Sequence, residues 1–247
     1  MNFETAVFDI CGEREHMEDT HVLVRGLIKA GDLFGGIYDG HDGDMVAKYI
    51  AENLHLRFSS MVVGGLSIVD AFLMSYQEMS NEVYGISLNS GACVANFFIC
   101  DGKIYFANAG DVRILIVGRG VKQLTIDHRL TNTSELKRVE ACGATIKKKR
   151  IIGRYGNIAI TRAIGDFDFS EHGVIATPYV GQHNISPDDL MIIVCSDGLF
   201  EQMSNEQIAH NAISCENLEL ICKNLVRKSL DEGSGDNITA MLIKLTH

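Results

Sequence analysis

Three acids stand at the ends of segments that read as buried β-strands. Asp39 follows residues 33–38 in Y-D-G-H-D-G, Asp197 follows 191–195 in S-D-G-L, and Asp236 precedes 238–245 in G-S-G-D-N-I-T. An isolated carboxylate in such a place is usually a turn former. Three together mean more, because each adjoins a glycine that lets backbone approach a ligand, and each is aimed by a core strand. Carboxylates that converge without compensating Arg or Lys repel one another, and divalent cations resolve that conflict. An all-oxygen donor set favours Mg²⁺ or Mn²⁺ over Zn²⁺.

Upstream, R-E-H-M-E-D-T-H supplies Arg14, Glu18 and Asp19 just ahead of a strand at Val22. Alone, this run is a solvated charged edge. Beside the three acidic turns it reads as the wall of a site, with Glu18 offering another metal oxygen and Arg14 a planar fork matched to phosphate.

The elements that must position these groups follow from apolar spacing. Residues 6–10, 22–25 and 33–38 read as short strands, the last nearly all apolar or glycine and so buried on both faces. Helical spacing predicts helices from about 45 to 58 and from about 67 to 84. Residues 93–100, 103–108 and 112–117 form an antiparallel meander, with Asp101-Gly102 as a hairpin turn. Asn132 stands three residues before Glu135, and Ser204 three before Gln207, spacings that let each pair open a helix with reciprocal capping bonds. Strands return at 190–195 and 238–245, with helices near 206–212 and 217–230 between them. The pattern predicts an α+β protein of packed sheets flanked by helices.

The 247 residues show no compositional break and fit one domain spanning 1–247. With 22 Lys+Arg against 32 Asp+Glu, the net charge of −10 argues against a nucleic-acid or anionic-membrane binder, although acids holding metal would count for less. Seven Cys without a C-x-x-C pair read as reduced thiols rather than a disulfide or zinc framework. No basic segment followed by an apolar run opens the chain, and no stretch approaches the ~20 apolar residues of a membrane span. A soluble cytoplasmic protein is expected. The basic run 147–150, K-K-K-R, is more often solvated surface than a docking site or nuclear signal, which leaves the nucleus open as a second location.

The signatures of several known phosphate-handling chemistries are incomplete here. The sixth residue after Cys142 and after Cys222 is Lys148 and Lys228, where a C-x₅-R nucleophile loop needs Arg. Asp166-Phe167-Asp168 follows T-R-A-I-G instead of the apolar strand that precedes an aspartyl nucleophile, and so reads as a structural turn. Asp39-Gly40-His41 imitates the D-x-H of calcineurin-like phosphoesterases, yet no G-N-H-[ED] accompanies it.

Taken in order, R-E-H-M-E-D, Y-D-G-H-D-G, N-A-G-D-V-R, T-R-A-I-G-D, S-D-G-L and G-S-G-D-N resemble the motifs of the metal-dependent (type 2C) protein serine/threonine phosphatases across nearly the whole chain. The resemblance implies two stacked antiparallel sheets flanked by helices, with a binuclear Mg or Mn centre in a cleft at one end of the sandwich. It implies that Asp39 bridges both metals, that the Gly40 carbonyl joins one of them, and that Asp197 and Asp236 hold the other. Glu18 would ligate directly or through water, Asp19 would orient metal-bound water, Arg14 would hold the substrate phosphate, and Asn237 would steady Asp236 from behind. His41 is the family's candidate general acid, the alternative being a residue that merely caps or packs in its turn.

The implied reaction is direct attack of metal-activated water on phosphoserine or phosphothreonine of protein substrates, without a phosphoenzyme, by a monomer. The alternative is an inactive scaffold of the same fold that binds signalling partners, which loss of metal-binding acids would reveal; here the core acids are all present. Ala92, Cys93, Val112 and Thr161 depart from the family's usual residues at scaffold positions. The stretch 145–157 corresponds to the family's variable flap. The resemblance also implies a weaker third ion on Asp111, Asp197 and Glu201. The family commonly has Asp at the last of these; the longer Glu201 either joins through altered geometry or water, or is simply solvated.

Overall fold

The computed structural model describes residues 2–87, 89–213 and 217–246. Two antiparallel sheets are stacked face to face. One has the order β1-β14-β13-β6-β7, built from β1 Asn2–Ile10, β6 Arg113–Val117, β7 Val121–Gln123, β13 Met191–Cys195 and β14 Ile238–Thr246. The other runs β12-β5-β4-β3-β2, built from β2 Asp19–Arg25, β3 Leu33–His41, β4 Gly91–Cys100, β5 Lys103–Ala109 and β12 Tyr179–Asn184, with the short β11 Ile164–Gly165 paired to the start of β4. Helices α1 Met45–Val63 and α2 Ile68–Val83 cover the second sheet, while α4 Asp197–Phe200, α5 Asn205–Ala212 and α6 Leu218–Asp231 cover the first. Helix α3 Thr133–Ala141 and a small sheet of β8 Thr145–Lys147, β9 Arg150–Ile152 and β10 Asn157–Ile158 complete the chain. The expected α+β sandwich of two stacked antiparallel sheets is the fold observed.

Period-two alternation explains how one strand serves two cores. Along β3, Leu33 and Ile37 enter the layer between the sheets, while Phe34 and Tyr38 pack under α1 and α2. Along β13, Ile192 and Val194 face between the sheets, and Met191, Ile193 and Cys195 face the helices. Uninterrupted apolar runs on both strands are the sequence consequence. The 101–102 turn has Asp101 at φ 48° and Gly102 at 71°, the left-handed pair that suits a two-residue hairpin.

Two local expectations change. Helix α1 continues past residue 58 to Val63, because Met61 and Val62 still find apolar partners. Asn132 does cap α3, accepting from Ser134 N at 3.0 Å, but Glu135 returns no bond. Glu135 is buried and engaged by Arg138 (2.7 Å), Arg162 (2.7 Å) and the Thr161 hydroxyl (2.7 Å). A charged group removed from water is held by its counter-ions ahead of a local cap. Ser204 and Gln207 form the full reciprocal box.

Phe97 is completely buried in the inter-sheet layer, against Gly35, where even a Cβ would collide with its ring. Phe97→Ala is expected to lower unfolding free energy by about 3–5 kcal/mol, read as a shifted urea midpoint with an unchanged slope.

Candidate active site

The alternation that fills the inter-sheet layer also decides what closes its end. Continuing the inward parity of Leu33 and Ile37 brings Asp39 to the mouth of the layer, and continuing Ile192 and Val194 brings Ser196. The same parity on β14, set by Met241 and Ile243, brings Thr239. Asp19, at the start of β2, lies directly opposite Asp39 in the β2–β3 ladder. Glycines let the acidic turns close together: a Cβ on Gly40 would lie 2.5 Å from the Glu18 carbonyl oxygen, and one on Gly198 would strike the Asn237 carbonyl.

Arg14, Glu18, Asp39, Gly40, His41, Asp111, Asp197, Glu201 and Asp236 all line one cleft of about 850 Å³. Within it, Asp39, Asp111 and Asp197 each present a carboxylate oxygen, all within 4.8 Å of one another. Among the described residues, none forms an ion pair with Asp39. Burial holds the Asp39 carboxyl well above its ordinary pKa, and Asp19, Asp197 and Asp111 push it further up. Asp197 is raised in the same way, first by burial and then by Asp111 and Glu201, with Arg129 only partly opposing. Asp39 is thus left without a cation of its own among the described residues, and the all-oxygen donor set fits a hard divalent cation such as Mg²⁺ or Mn²⁺.

Asp19 lies beneath the cleft wall, where it accepts from Ser196 Oγ (2.8 Å) and Thr239 Oγ1 (2.6 Å). Burial pushes it up to about 6 against those two bonds. Glu18 accepts from the Gly43 backbone N–H at 2.6 Å. Asn237 is tied in a manner its spacing does not reveal. Its side-chain oxygen accepts from Glu18 N (2.7 Å), its amide donates to the Cys11 (2.8 Å) and His16 (3.0 Å) carbonyls, and only its backbone N–H holds Asp236 (2.8 Å). The Asn237 side chain therefore fixes the Glu18 loop rather than the Asp236 carboxylate. Asp236 in turn pairs with Arg14 Nη2 at 2.8 Å.

His41 stands at the cleft edge with Nε2 at 2.8 Å from both oxygens of Asp166. Burial alone disfavours an imidazolium, but the Asp166 carboxylate outweighs it and raises the pKa of His41 above its ordinary value. Asp166 has φ 54° and is itself almost fully buried. The T-R-A-I-G-D segment delivers it there. Thr161 and Arg162 bind Glu135 of α3, Ile164 and Gly165 pair with β4, and the chain then turns so that Asp166 meets His41. The 145–157 stretch folds as the β8–β10 sheet and brings Arg150, Tyr155 and Asn157 to the cleft. Lys148 and Lys149 form its turn, at φ 50° and 61°.

Two residues take roles that sequence reasoning did not give them. Asp166 was read only as part of a turn, and Arg129 carried no motif; yet Arg129 reaches Asp111 (2.5 Å), Asp197 (3.1 Å) and Glu201 (2.8 Å) together. The cleft also contains Cys93, but burial, then Asp111 and Asp39, hold its thiol far above the ordinary range, so it supplies no thiolate nucleophile.

The family model described as "Protein phosphatase 2C" matches residues 3–238. The chain belongs to the protein phosphatase 2C family. Membership assigns it to the metal-dependent protein serine/threonine phosphatases, which generally use Mg or Mn. It is 33% identical over 252 residues to "Probable protein phosphatase 2C 2" of Arabidopsis thaliana, covering 96% of this chain and 66% of that one. It is 31% identical over 263 residues to human "Protein phosphatase 1A", covering 94% and 68%. The chain thus spans about two thirds of these relatives' length. The crystal structure of the serine-threonine phosphatase 2C from Toxoplasma gondii superposes with a TM-score of 0.91 at 21% identity, covering 99% of this chain and 95% of that one, which supports the shared fold.

The crowding of acids in this 2C cleft has a thermodynamic signature. A carboxyl whose folded pKa is raised stabilises the fold fully below its unfolded value of about 3.9, and that stability is lost as pH climbs towards the folded value. In chelated protein, Asp39→Asn is therefore expected to raise the melting temperature at pH 7, by a margin that shrinks towards pH 4. The same substitution should remove most of the Mn²⁺-induced rise in melting temperature. Thermal scans with EDTA and with Mn²⁺ read both effects.

Proposed function

We propose that this chain hydrolyses phosphoserine and phosphothreonine in phosphorylated proteins by direct attack of water, without a covalent phosphoenzyme, at a centre of two Mg or Mn ions. The observation that carries the reading is the convergence of Asp39, Asp111 and Asp197 within 4.8 Å at the end of the sandwich, with Glu18 and Asp236 on the same cleft. Asp39, Asp197, Asp236, Glu18 and the Gly40 carbonyl, all on this cleft, are the groups that would hold the ions. When bound, divalent cations supply an acidified water and positive charge against the phosphoryl oxygens.

The remaining chemistry belongs to the protein's own side chains. Arg14 sits at the rim, half exposed; its pairing with Asp236 engages Nη2, and the other N–H groups of its fork are disposed to take a phosphate. Asp19, held by the Ser196 and Thr239 hydroxyls and opposite Asp39 in the β2–β3 ladder, would accept a hydrogen bond from the attacking water and orient it. His41 protonates the departing serine or threonine alkoxide, a contribution of about 10²–10⁴-fold in general. Asp166 keeps the ring in place and favours the protonated form that this task needs. No helix among the described residues is long and apolar enough to cross a membrane.

A phosphothreonine peptide should be hydrolysed in the presence of Mn²⁺ and spared in EDTA, and Asp39→Asn should retain less than a tenth of wild-type turnover. Full inertness of the wild-type chain towards phosphopeptides under these conditions would favour the inactive-scaffold reading instead.

His41 and Asp166 have a separate test, because an alkoxide leaving group needs a proton and a nitrophenolate does not. Asp166→Asn is expected to slow phosphothreonine hydrolysis more than tenfold while changing p-nitrophenyl phosphate turnover by a factor of about two to three. Equal losses on both substrates would assign Asp166 a purely structural role.

A further inference from the structure

The acids implied for a third ion, Asp111, Asp197 and Glu201, already share a cation. Arg129 Nε donates to Asp111 Oδ2 at 2.5 Å, and Nη2 donates to Asp197 Oδ2 at 3.1 Å and to Glu201 Oε1 at 2.8 Å. This is not a surface side chain that has drifted onto acids. Its own backbone forms a bridge to Ile160. The residue before it is fastened on both sides, His128 N–H to the Gly110 carbonyl at 3.0 Å, and the His128 carbonyl to Thr161 N–H at 2.7 Å and the Thr161 hydroxyl at 2.9 Å. The guanidinium lies under the edge of the cleft, 5.9 Å from the Phe200 ring centroid. Arg113 stacks on that ring at 3.8 Å and is itself held by Asp127 and Asn205.

We propose that the Arg129 guanidinium is the resident occupant of this third position, so that Asp111, Asp197 and Glu201 take up no third divalent ion while Arg129 is in place. The inference rests on the two-ion reading of the main centre and deepens it. A guanidinium is a planar, permanently charged fork with five donors, and here it spans three carboxylates that a single ion would otherwise draw together. A divalent ion entering the same ground meets a positive charge on a fastened backbone and acids whose facing oxygens are already engaged. It must expel the arginine or bind without those oxygens. Glu201 fits the same account: its extra methylene, awkward for a tight ion shell, carries its oxygen to Arg129. Asp197 meets Arg129 through Oδ2, which leaves its other oxygen for the main centre.

Isothermal calorimetry with Mn²⁺ alone, on the intact chain stripped of metal, tests this without reference to activity. Wild type is expected to bind two ions per chain, with no further heat up to millimolar concentrations. Arg129→Met, similar in length but uncharged, is expected to bind a third, which the double variant Arg129→Met/Asp111→Asn loses. Arg129→Lys, which keeps a charge but cannot span three acids, should bind the third ion more weakly than Arg129→Met and guards against a variant that fails to fold, as circular dichroism will show. Wild type binding three ions, with the third lost in Asp111→Asn, overturns the proposal. So does a third ion absent from both folded Arg129 variants. Wild type binding fewer than two ions overturns the two-ion reading itself, and this inference with it.

Discussion

Like charges placed opposite one another in an antiparallel ladder repel, and their repulsion grows as water is excluded. Asp19 and Asp39 are such a pair, at the mouth of the inter-sheet layer, and Asp111, Asp197 and Asp236 crowd towards them from neighbouring turns. The protein compensates only at the margins, with Arg14 on Asp236 and Arg129 on Asp111, Asp197 and Glu201. The centre, at Asp39, has no internal counter-ion among the described residues. This uncompensated charge is the feature from which the cleft's chemistry follows. A scaffold that needed only stability would place apolar residues there, since buried acids without partners cost free energy.

The rest of the fold keeps those acids from separating. The sheets fix the direction of Asp39, Ser196 and Thr239 through strand parity, and a packed layer of Phe97, Ile114, Ile192 and Met241 holds the sheets together behind them. A second polar anchor lies away from the acid cluster. Glu135 gathers Arg138, Arg162 and Thr161, and burial is outweighed by these partners, so that its carboxyl stays well below the usual range and ionised. That cluster ties α3 to the segment that ends at Asp166, and so connects a structural ion network to the orientation of His41. His128 lies beside it with its pKa pushed down to about 4 by burial and by Arg162, a neutral packing residue with no role as an acid near neutral pH.

Much of this was legible from residue types. The apolar run on β3 gave away a strand buried on two faces, those on β13 and β14 gave away strands, and acids beside glycine at their ends gave away the site, because periodicity and turn chemistry are local properties. The Ser204 cap was visible for the same reason. Glu135 was misread as half of a capping box, since the spacing to Asn132 is local while its arginine partners come from α3 and from residue 162. Asp166 looked like an ordinary acidic turn; its value lies in a left-handed backbone that brings it to His41, 125 positions away in sequence. Arg129 was invisible because a lone arginine in a polar segment has no pattern, and only the folded chain sets its fork among three acids. The Asn237 side chain is a similar case: the family resemblance implied a hold on Asp236, whereas the fold gives the side chain to Glu18.

The most direct test of the central claim is anomalous diffraction at the manganese edge from crystals grown with Mn²⁺. The account predicts two strong peaks in the cleft, both in contact with the Asp39 carboxylate, one of them also bound by Asp197 and Asp236. An absence of peaks at Asp39, or a single ion held elsewhere in the cleft with Asp39 unligated, would contradict it.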